Sequence, residues 1–229
     1  FTGMYSDRNL SLYGDYSMAV SMFFNPSGSV TGILQTNGLP LPLKSLLLSL
    51  SLDTEFRYIP EEGFRFTINE GSLEEVKGIL PLDTRVKFAG YIENTGVFLH
   101  EIAMYDRYSS VRGSCRLNIL TQDDGTKQFD ASLDLAAPET GELYRFEGTM
   151  VKTSELFFEA NAVVENLPFM RVANNQNADN LASLTASISG TPETLFAAAE
   201  LSTLNFRVSD SNLTARGSVL LEDRLVSLY

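Results

Sequence analysis

Apolar and polar residues alternate at every second position in segment after segment of this chain, the period of a strand that buries one face. Val111, Gly113, Cys115, Leu117 and Ile119 fall in one phase, and Ser110, Arg112, Ser114, Arg116 and Asn118 in the other. Phe129, Ala131, Leu133 and Leu135 repeat the pattern against Gln128, Asp130, Ser132 and Asp134. Asp124-Gly125 stands between these two runs as hairpin punctuation, so they read as an antiparallel pair. The same rhythm carries Tyr16, Met18, Val20, Met22 and Phe24, and then Phe64, Phe66 and Ile68. It returns in Tyr144, Phe146, Gly148 and Met150, in Leu156, Phe158, Ala160, Ala162 and Val164, and in Leu213, Ala215, Gly217, Val219 and Leu221. Turn text such as Asn25-Pro26-Ser27-Gly28, Asn37-Gly38, Glu62-Gly63, Asn94-Thr95-Gly96 and Pro138-Glu139-Thr140-Gly141 falls at strand-length intervals. The pattern predicts an all-β architecture of roughly 12 to 15 strands joined by tight turns.

Two segments fit a short helix as well as a strand. One is Leu43 to Leu50. The other is Pro192 to Leu204, where Thr191 is placed to cap a helix with Pro192 at its first position, although Leu195, Ala197, Ala199 and Leu201 keep strand phase.

Beneath the alternation runs a weak repeat of an apolar residue, a polar one, glycine, any residue, then apolar again. It occurs as Val30-Thr31-Gly32-Ile33-Leu34, Val76-Lys77-Gly78-Ile79-Leu80, Phe88-Ala89-Gly90-Tyr91-Ile92, Val111-Arg112-Gly113-Ser114-Cys115, Phe146-Glu147-Gly148-Thr149-Met150, Ile188-Ser189-Gly190-Thr191 and Ala215-Arg216-Gly217-Ser218-Val219. The glycine takes an inward position, where a missing side chain permits the close approach a tightly curling sheet needs. A second echo pairs Gly38-Leu39-Pro40-Leu41 with Asn166-Leu167-Pro168-Phe169. The polar run Ala173 to Asn180 reads as a loop inserted into the second copy. The chain is therefore taken as one continuous repetitive segment, residues 1–229, with its best sub-boundary in the loop 173–180.

Composition narrows the chemistry. With 229 residues, 44% hydrophobic and 20% charged, the chain is of the folded rather than the disordered class. Lys plus Arg at 17 against Asp plus Glu at 29 leaves a net charge of −12, which lacks the footprint of a nucleic-acid binder and disfavours charge-driven adhesion to anionic lipid surfaces. One cysteine and one histidine supply neither a disulfide, nor a structural zinc site, nor an ordinary His-assisted triad. No apolar run approaches the roughly 18 residues of a membrane-spanning helix; Leu39 to Leu52 is broken by prolines, Lys44 and serines. The chain opens at Phe1 in strand-like text and closes on Leu228-Tyr229, the expected look of a middle segment of a longer protein.

Each remaining chemical candidate has a plainer reading. Asp123-Asp124-Gly125 lacks the later acidic ligands of a calcium loop and reads as a solvated turn. The pairs Glu61-Glu62, Glu74-Glu75 and Glu222-Asp223 sit beside turns, and no tryptophan offers a sugar platform for glycoside hydrolysis. His100 has no visible partners, and Cys115 falls in phase with Val111 and Leu117 as a small hydrophobe. No catalytic residue, metal site or cofactor is expected.

What remains is the apolar face. Two architectures share its pattern: a sandwich, in which two sheets close over a filled core, and a curled trough whose inner face stays open to an acyl chain. In the trough the inward residues become lipid-binding positions: Met18, Val20, Met22, Phe64, Phe66, Ile68, Val111, Cys115, Leu117, Ile119, Phe129, Leu133 and Leu135, followed by Phe146, Met150, Phe158, Leu213, Val219 and Leu221.

Four stretches tip the balance. Val164-Glu165-Asn166-Leu167-Pro168-Phe169 is followed by Leu184-Thr185-Ala186-Ser187-Ile188-Ser189-Gly190-Thr191-Pro192-Glu193, then by Leu204-Asn205-Phe206-Arg207-Val208 and by Asn212 to Asp223. This text resembles the repeats of the TamB family within the wider AsmA-like group, best over residues 143–229 and more loosely at Asn37 to Tyr58 and Val86 to Leu117. The resemblance implies a β-taco, a U-shaped hydrophobic groove in a long periplasmic protein anchored at the inner membrane. It implies a groove that carries phospholipid toward the outer membrane and assists envelope assembly with an Omp85-type partner. The family's membrane helix and its partner-binding domain match nothing in this chain. The expected function is thus a non-enzymatic conduit for phospholipid acyl chains, with a structural β stalk or adhesin segment of filled core as the alternative.

Overall fold

The computed structural model describes residues 2–43, 46–77, 84–106, 108–169, 180–208, 211–222 and 225–228. The strands begin with β1 (Thr2–Ser6), β2 (Asn9–Tyr13), β3 (Ala19–Phe24), β4 (Val30–Leu43), β5 (Leu46–Ile59), β6 (Gly63–Lys77), β7 (Arg85–Glu93) and β8 (Gly96–Tyr105). They continue with β9 (Ser110–Thr121), β10 (Lys127–Ala137), β11 (Glu142–Lys152), β12 (Leu156–Pro168), β13 (Leu181–Gly190), β14 (Leu195–Val208), β15 (Ser211–Glu222) and β16 (Leu225–Leu228). Each pairs antiparallel with the next, so sheet order is sequence order across all 16 strands. The result is a single curled antiparallel sheet, the all-β groove class, and not two stacked sheets.

Both ambiguous segments are strands. Leu43 ends β4 and Leu46–Leu50 opens β5, whose residues continue in phase as Leu52, Thr54, Phe56 and Tyr58. Pro192 lies in the turn between β13 and β14, and Leu195 begins a 14-residue strand. Thr191 does cap: its Oγ1 accepts from the N–H groups of Glu193 (3.3 Å) and Thr194 (3.1 Å). The capped unit is a hairpin turn, closed by Thr191 N–H to the Thr194 carbonyl at 2.8 Å, because β13 and β15 are there to pair β14 on both edges. One strand starts later than the alternation suggests. Tyr16 and Ser17 hold φ of 58° and 51° in a turn, so β3 begins at Ala19 and Met18 precedes it.

Residues paired across antiparallel strands share a face, so the register can be followed across the sheet. One line runs Gly3, Leu12, Val20, Leu34, Thr54, Ile68, Gly90, Leu99, Cys115, Leu133, Phe146, Ala162, Ala186, Ala199, Val219 and Leu228. A second runs beside it through Tyr5, Leu10, Met22, Gly32, Phe56, Phe66, Ile92, Val97, Leu117, Ala131, Gly148, Ala160, Ile188, Ala197, Leu221 and Val226. Apart from the Tyr5 hydroxyl at the edge and the Cys115 thiol, Thr54 is the one polar side chain in either line, and its Oγ1 donates to the Leu34 carbonyl at 2.9 Å. Of the repeat glycines, Gly90 falls in the first line and Gly32 and Gly148 in the second, while Gly113, Gly190 and Gly217 keep the same phase at neighbouring levels. A Cβ on Gly32 would strike the Phe56 ring, and one on Gly113 would strike the Asp134 carbonyl, so the neighbouring strand lies where a side chain would be. Gly78 of the same repeat lies outside the described residues.

The curl has a second cause. Extra residues are inserted at Thr36/Leu39 in β4, Ile68/Gly71 in β6, Leu99/Ile102 in β8, Val164/Leu167 in β12 and Leu201/Leu204 in β14. All five are even-numbered strands, which run in one direction. A bulge bends its strand and increases local twist, and bulges at neighbouring levels add their bends along one band of the sheet. The Gly-Leu-Pro and Asn-Leu-Pro echo marks two of them. Gly38 and Asn166 have φ of 71° and 52°, and each loses its place in the ladder. Their N–H groups donate instead to Ser51 Oγ (3.1 Å) and Ser183 Oγ (3.0 Å) on the adjacent strand.

The opposite face is mixed: it carries exposed Phe23, Ile33, Leu120, Phe157, Phe196 and Leu220 among charged side chains that cross-link it. Ion pairs join Arg57 to Glu62, Arg85 to Glu74, Lys87 to Glu70 and Arg145 to Asp134. Arg116 stacks on Phe98, Phe98 on Tyr91, and Arg65 on the far side of Tyr91. The loop 173–180, read as a sub-boundary, lies outside the described residues apart from Asn180. On either side of it β12 and β13 pair from Phe158↔Gly190 to Pro168↔Leu181.

Candidate functional site

The inner face is broad as well as long. On the side of the long connections a third line runs Thr36, Leu52, Gly71, Phe88, Ile102, Gly113, Leu135, Tyr144, Val164, Leu184, Leu201 and Gly217. On the other side, Ile119, Phe129, Met150, Phe158, Gly190 and Leu195 form a fourth. Phe56 and Phe66 stack across the floor with ring centroids 5.6 Å apart. Among β11 to β15 the floor sinks: Ala160, Ala162, Ala186, Ala197 and Ala199 underlie a hollow of about 290 Å³ walled by Phe146, Ile188, Val219 and Leu221.

These side chains are half-buried, not occluded. Among the described residues the buried hydrophobics are Ile68, Ala103, Val111, Ala137 and Ala182, whereas Phe64, Phe146 and Val219 are 44%, 37% and 40% exposed. The chain's accessible surface is 14582 Å². A compact monomer of 25.3 kDa exposes about 10,300 Å². A sheet whose apolar face had met a second layer would fall near the lower figure.

All the sequence-predicted lining residues except Met18 lie on this face. Val20, Ile68, Cys115, Leu133, Phe146 and Val219 fall in the first line, Met22, Phe66, Leu117 and Leu221 in the second, and Leu135 in the third. Ile119, Phe129, Met150 and Phe158 make the fourth, and Phe64 sits opposite Tyr58 at the same level. Leu213 pairs with Phe206 in the same phase, and its side chain lies outside the described residues. Two need correction as lining: Val111 is fully buried and Ile68 is 7% exposed, so both pack within the protein and offer little surface to a guest. Met18 sits in the β2–β3 turn, off the ladder, because Tyr16 and Ser17 turn the chain before β3 begins. Sequence reasoning missed Phe56, Phe88, Ile92, Val97 and Leu99. The alternation of β5 was legible but hidden by its resemblance to a helix. The phase of β8 breaks at His100 and Glu101, which occupy its bulge.

Burial concentrates at one rim, where β8, β10 and β12 hand over to the following strands. Val111, Ala137, Pro168, Asn180 and Glu142 are all inaccessible or nearly so. The Glu142 carboxylate accepts from Ser109 Oγ (2.7 Å), Thr140 Oγ1 (2.7 Å) and the Tyr144 hydroxyl (2.8 Å). It thereby ties the β8–β9 connection to the β10–β11 turn. Burial, and then donation to Glu142, push the Tyr144 phenol far above its ordinary range. Burial also raises the Cys115 thiol, as the small-hydrophobe reading of that residue requires.

The arrangement can shelter an elongated apolar guest along a surface whose backbone polar groups are already paired strand to strand. Comparison with protein-family models, with curated proteins and with solved structures gives no match.

Proposed function

We propose that the chain is a non-enzymatic conduit for phospholipid acyl chains, a segment of a periplasmic bridge of the TamB and AsmA-like type. Its parent would be anchored in the inner membrane, deliver lipid toward the outer membrane and support envelope assembly with an Omp85-type partner. The observation that carries this reading is the pair of apolar lines that crosses every strand while its side chains stay half-exposed. Fifteen inter-strand spacings of about 4.8 Å make a path of about 70 Å, over twice the roughly 30 Å hydrocarbon thickness of a bilayer.

Energetics favour such a path. A two-tailed lipid carries on the order of 30 methylenes at about 0.8 kcal/mol each, or about 24 kcal/mol for full exposure to water. A trough that covers half of that surface recovers on the order of 12 kcal/mol at every point along its length. No catalytic group is required for this.

A photo-crosslinker at Leu117 or Leu133 tests the proposal, together with mass spectrometry of co-purifying lipid. Phospholipid trapped at both positions is expected. Crosslinks to neighbouring protein alone would assign the chain to the filled-core stalk.

A further inference from the structure

The geometry points to Lys127 and Lys152 as an anchor for the phosphate of a lipid headgroup at one lip of the groove, an inference that rests on the conduit reading and deepens it. The register pairs Lys127 directly with Lys152. Both keep the phase of the apolar lines: Lys127 precedes Phe129, Ala131 and Leu133, and Lys152 follows Phe146, Gly148 and Met150. Through the inner-face lines of the whole sheet, the charged residues with described side chains are these two lysines and Glu142, which is sealed at the opposite rim.

Two like charges directly opposite in an antiparallel pair repel, with Cβ atoms about 5 Å apart, and contribute nothing to the fold. Here they stand side by side in a chain whose net charge is −12. Both are exposed, and neither forms an ion pair with a carboxylate among the described residues. The nearby acidic residues, Asp123, Asp124 and Glu155, belong to the two turns of the same lip. Asp124 is engaged in its own turn, where its Oδ1 accepts the Thr126 N–H at 2.8 Å. An anion between the two ammonium groups would remove their repulsion and satisfy both.

The adjoining surface specifies what kind of anion. One residue pair inward, Ile119, Phe129, Met150 and Phe158 form an apolar band four strands wide. Cations at the lip with aliphatic and aromatic side chains immediately below match a molecule with a charged head and apolar tails, and match free phosphate only in part. Of the other described turns of this rim, Asn25 to Ser29, Pro60 to Glu62, Asn94 and Thr95, and Thr191 to Thr194 hold no cation, and the β1–β2 turn at the sheet's far edge holds the single Arg8. The lysine pair is thus the one pair of facing cations in inward phase on the described part of the lip, a station at which a phospholipid is held by its headgroup while its tails lie across the floor.

The test titrates the delipidated chain with dioleoylphosphatidylglycerol and with dioleoylglycerol in the same neutral detergent, read by calorimetry. The phosphate-bearing lipid should bind about tenfold or more tightly at low salt, with the difference fading at high salt. In the doubly substituted Lys127→Gln, Lys152→Gln chain this advantage should vanish while dioleoylglycerol affinity stays unchanged. Circular dichroism and urea midpoints at least equal to the parent's would exclude misfolding. Inorganic phosphate added alone separates the two sources: no saturable binding at millimolar concentration is expected, whereas saturable binding lost in the double variant would assign the lysines to free phosphate and overturn a lipid station. Unchanged phosphatidylglycerol affinity in the variant, or an equal loss for both lipids, overturns the station but leaves the conduit. Failure of the parent chain to bind either lipid overturns both.

Discussion

Placing one aspartate at each of two positions on the same face separates an open groove from a closed core. Phe146 lies on the floor with 37% of its surface exposed, and Val111 lies on the same face with none. Fully burying a large apolar side chain stabilises by about 1.5–3 kcal/mol, so folding gains about 1–2 kcal/mol from Phe146. A carboxylate at that site keeps water on its open side, and the poor strand propensity of aspartate adds up to about 1 kcal/mol. Phe146→Asp should therefore cost about 2–3 kcal/mol, a drop of about 1–1.5 M in urea midpoint for a slope of about 2 kcal/mol/M. At Val111 the carboxylate has no access to water. Its desolvation costs several kcal/mol on top of the lost valine packing, out of a total stability of about 5–15 kcal/mol. Val111→Asp should leave little or no cooperative transition. The chain with Phe146→Asp should stay folded yet capture less lipid. Equal loss of folding in both would refute the reasoning, because it would mean that the groove floor is as sealed as the rim.

Three further outcomes follow from particular contacts. Ser51→Ala and Ser183→Ala each remove the hydroxyl that accepts a displaced bulge N–H, from Gly38 and Asn166 respectively, and should each cost about 1–2 kcal/mol in urea unfolding, whereas Ser114→Ala, at an exposed serine whose hydroxyl has no hydrogen-bond partner among the described residues, should cost nearly nothing. Tyr144 titrates well above its ordinary value of 10.0 when folded, so the folded state keeps a proton that the unfolded chain releases. Stability should be fully present below pH 10 and decline above it, and Tyr144→Phe should flatten that decline while lowering stability at neutral pH by about 2 kcal/mol, since Glu142 loses a donor. Cys115, raised by burial and lying between Leu99 and Leu133, should react slowly with maleimide at neutral pH and more slowly still when the chain is loaded with lipid. Loading that leaves the labelling rate unchanged would place the guest elsewhere.

Most of the strands were legible because a half-buried strand writes itself in period two. Val111 to Ile119 and Phe129 to Leu135 share their face in the sheet as they do in the text, and Asp124-Gly125 closes the hairpin between them, with Gly125 at φ of 83°. The repeat glycines were legible too, since an inward glycine in every few strands has few other uses. Legibility failed wherever the period broke. The leucine-rich start of β5 satisfies helical and strand spacing alike, and only pairing with β4 and β6 decides between them. The bulge at His100 and Glu101 shifts the phase of β8, so alternation counted from Val97 points Ile102 and Met104 the wrong way. The Thr191-Pro192 signal was a real cap on the wrong kind of unit.

The sequence alone determined that the chain is a succession of one-faced strands with polar turns, because side-chain direction alternates locally and needs no partner to do so. The tertiary structure decided what the apolar face meets. Alternation is identical whether that face is pressed against a second sheet or left open, and the difference lies in where sixteen strands travel together. Glycines that let neighbouring backbone approach, and bulges confined to strands running one way, curl the sheet upon itself instead of stacking two halves. The lysine pair at the lip is likewise a product of register: residues 127 and 152 are distant in the chain and become neighbours only when β10 and β11 align.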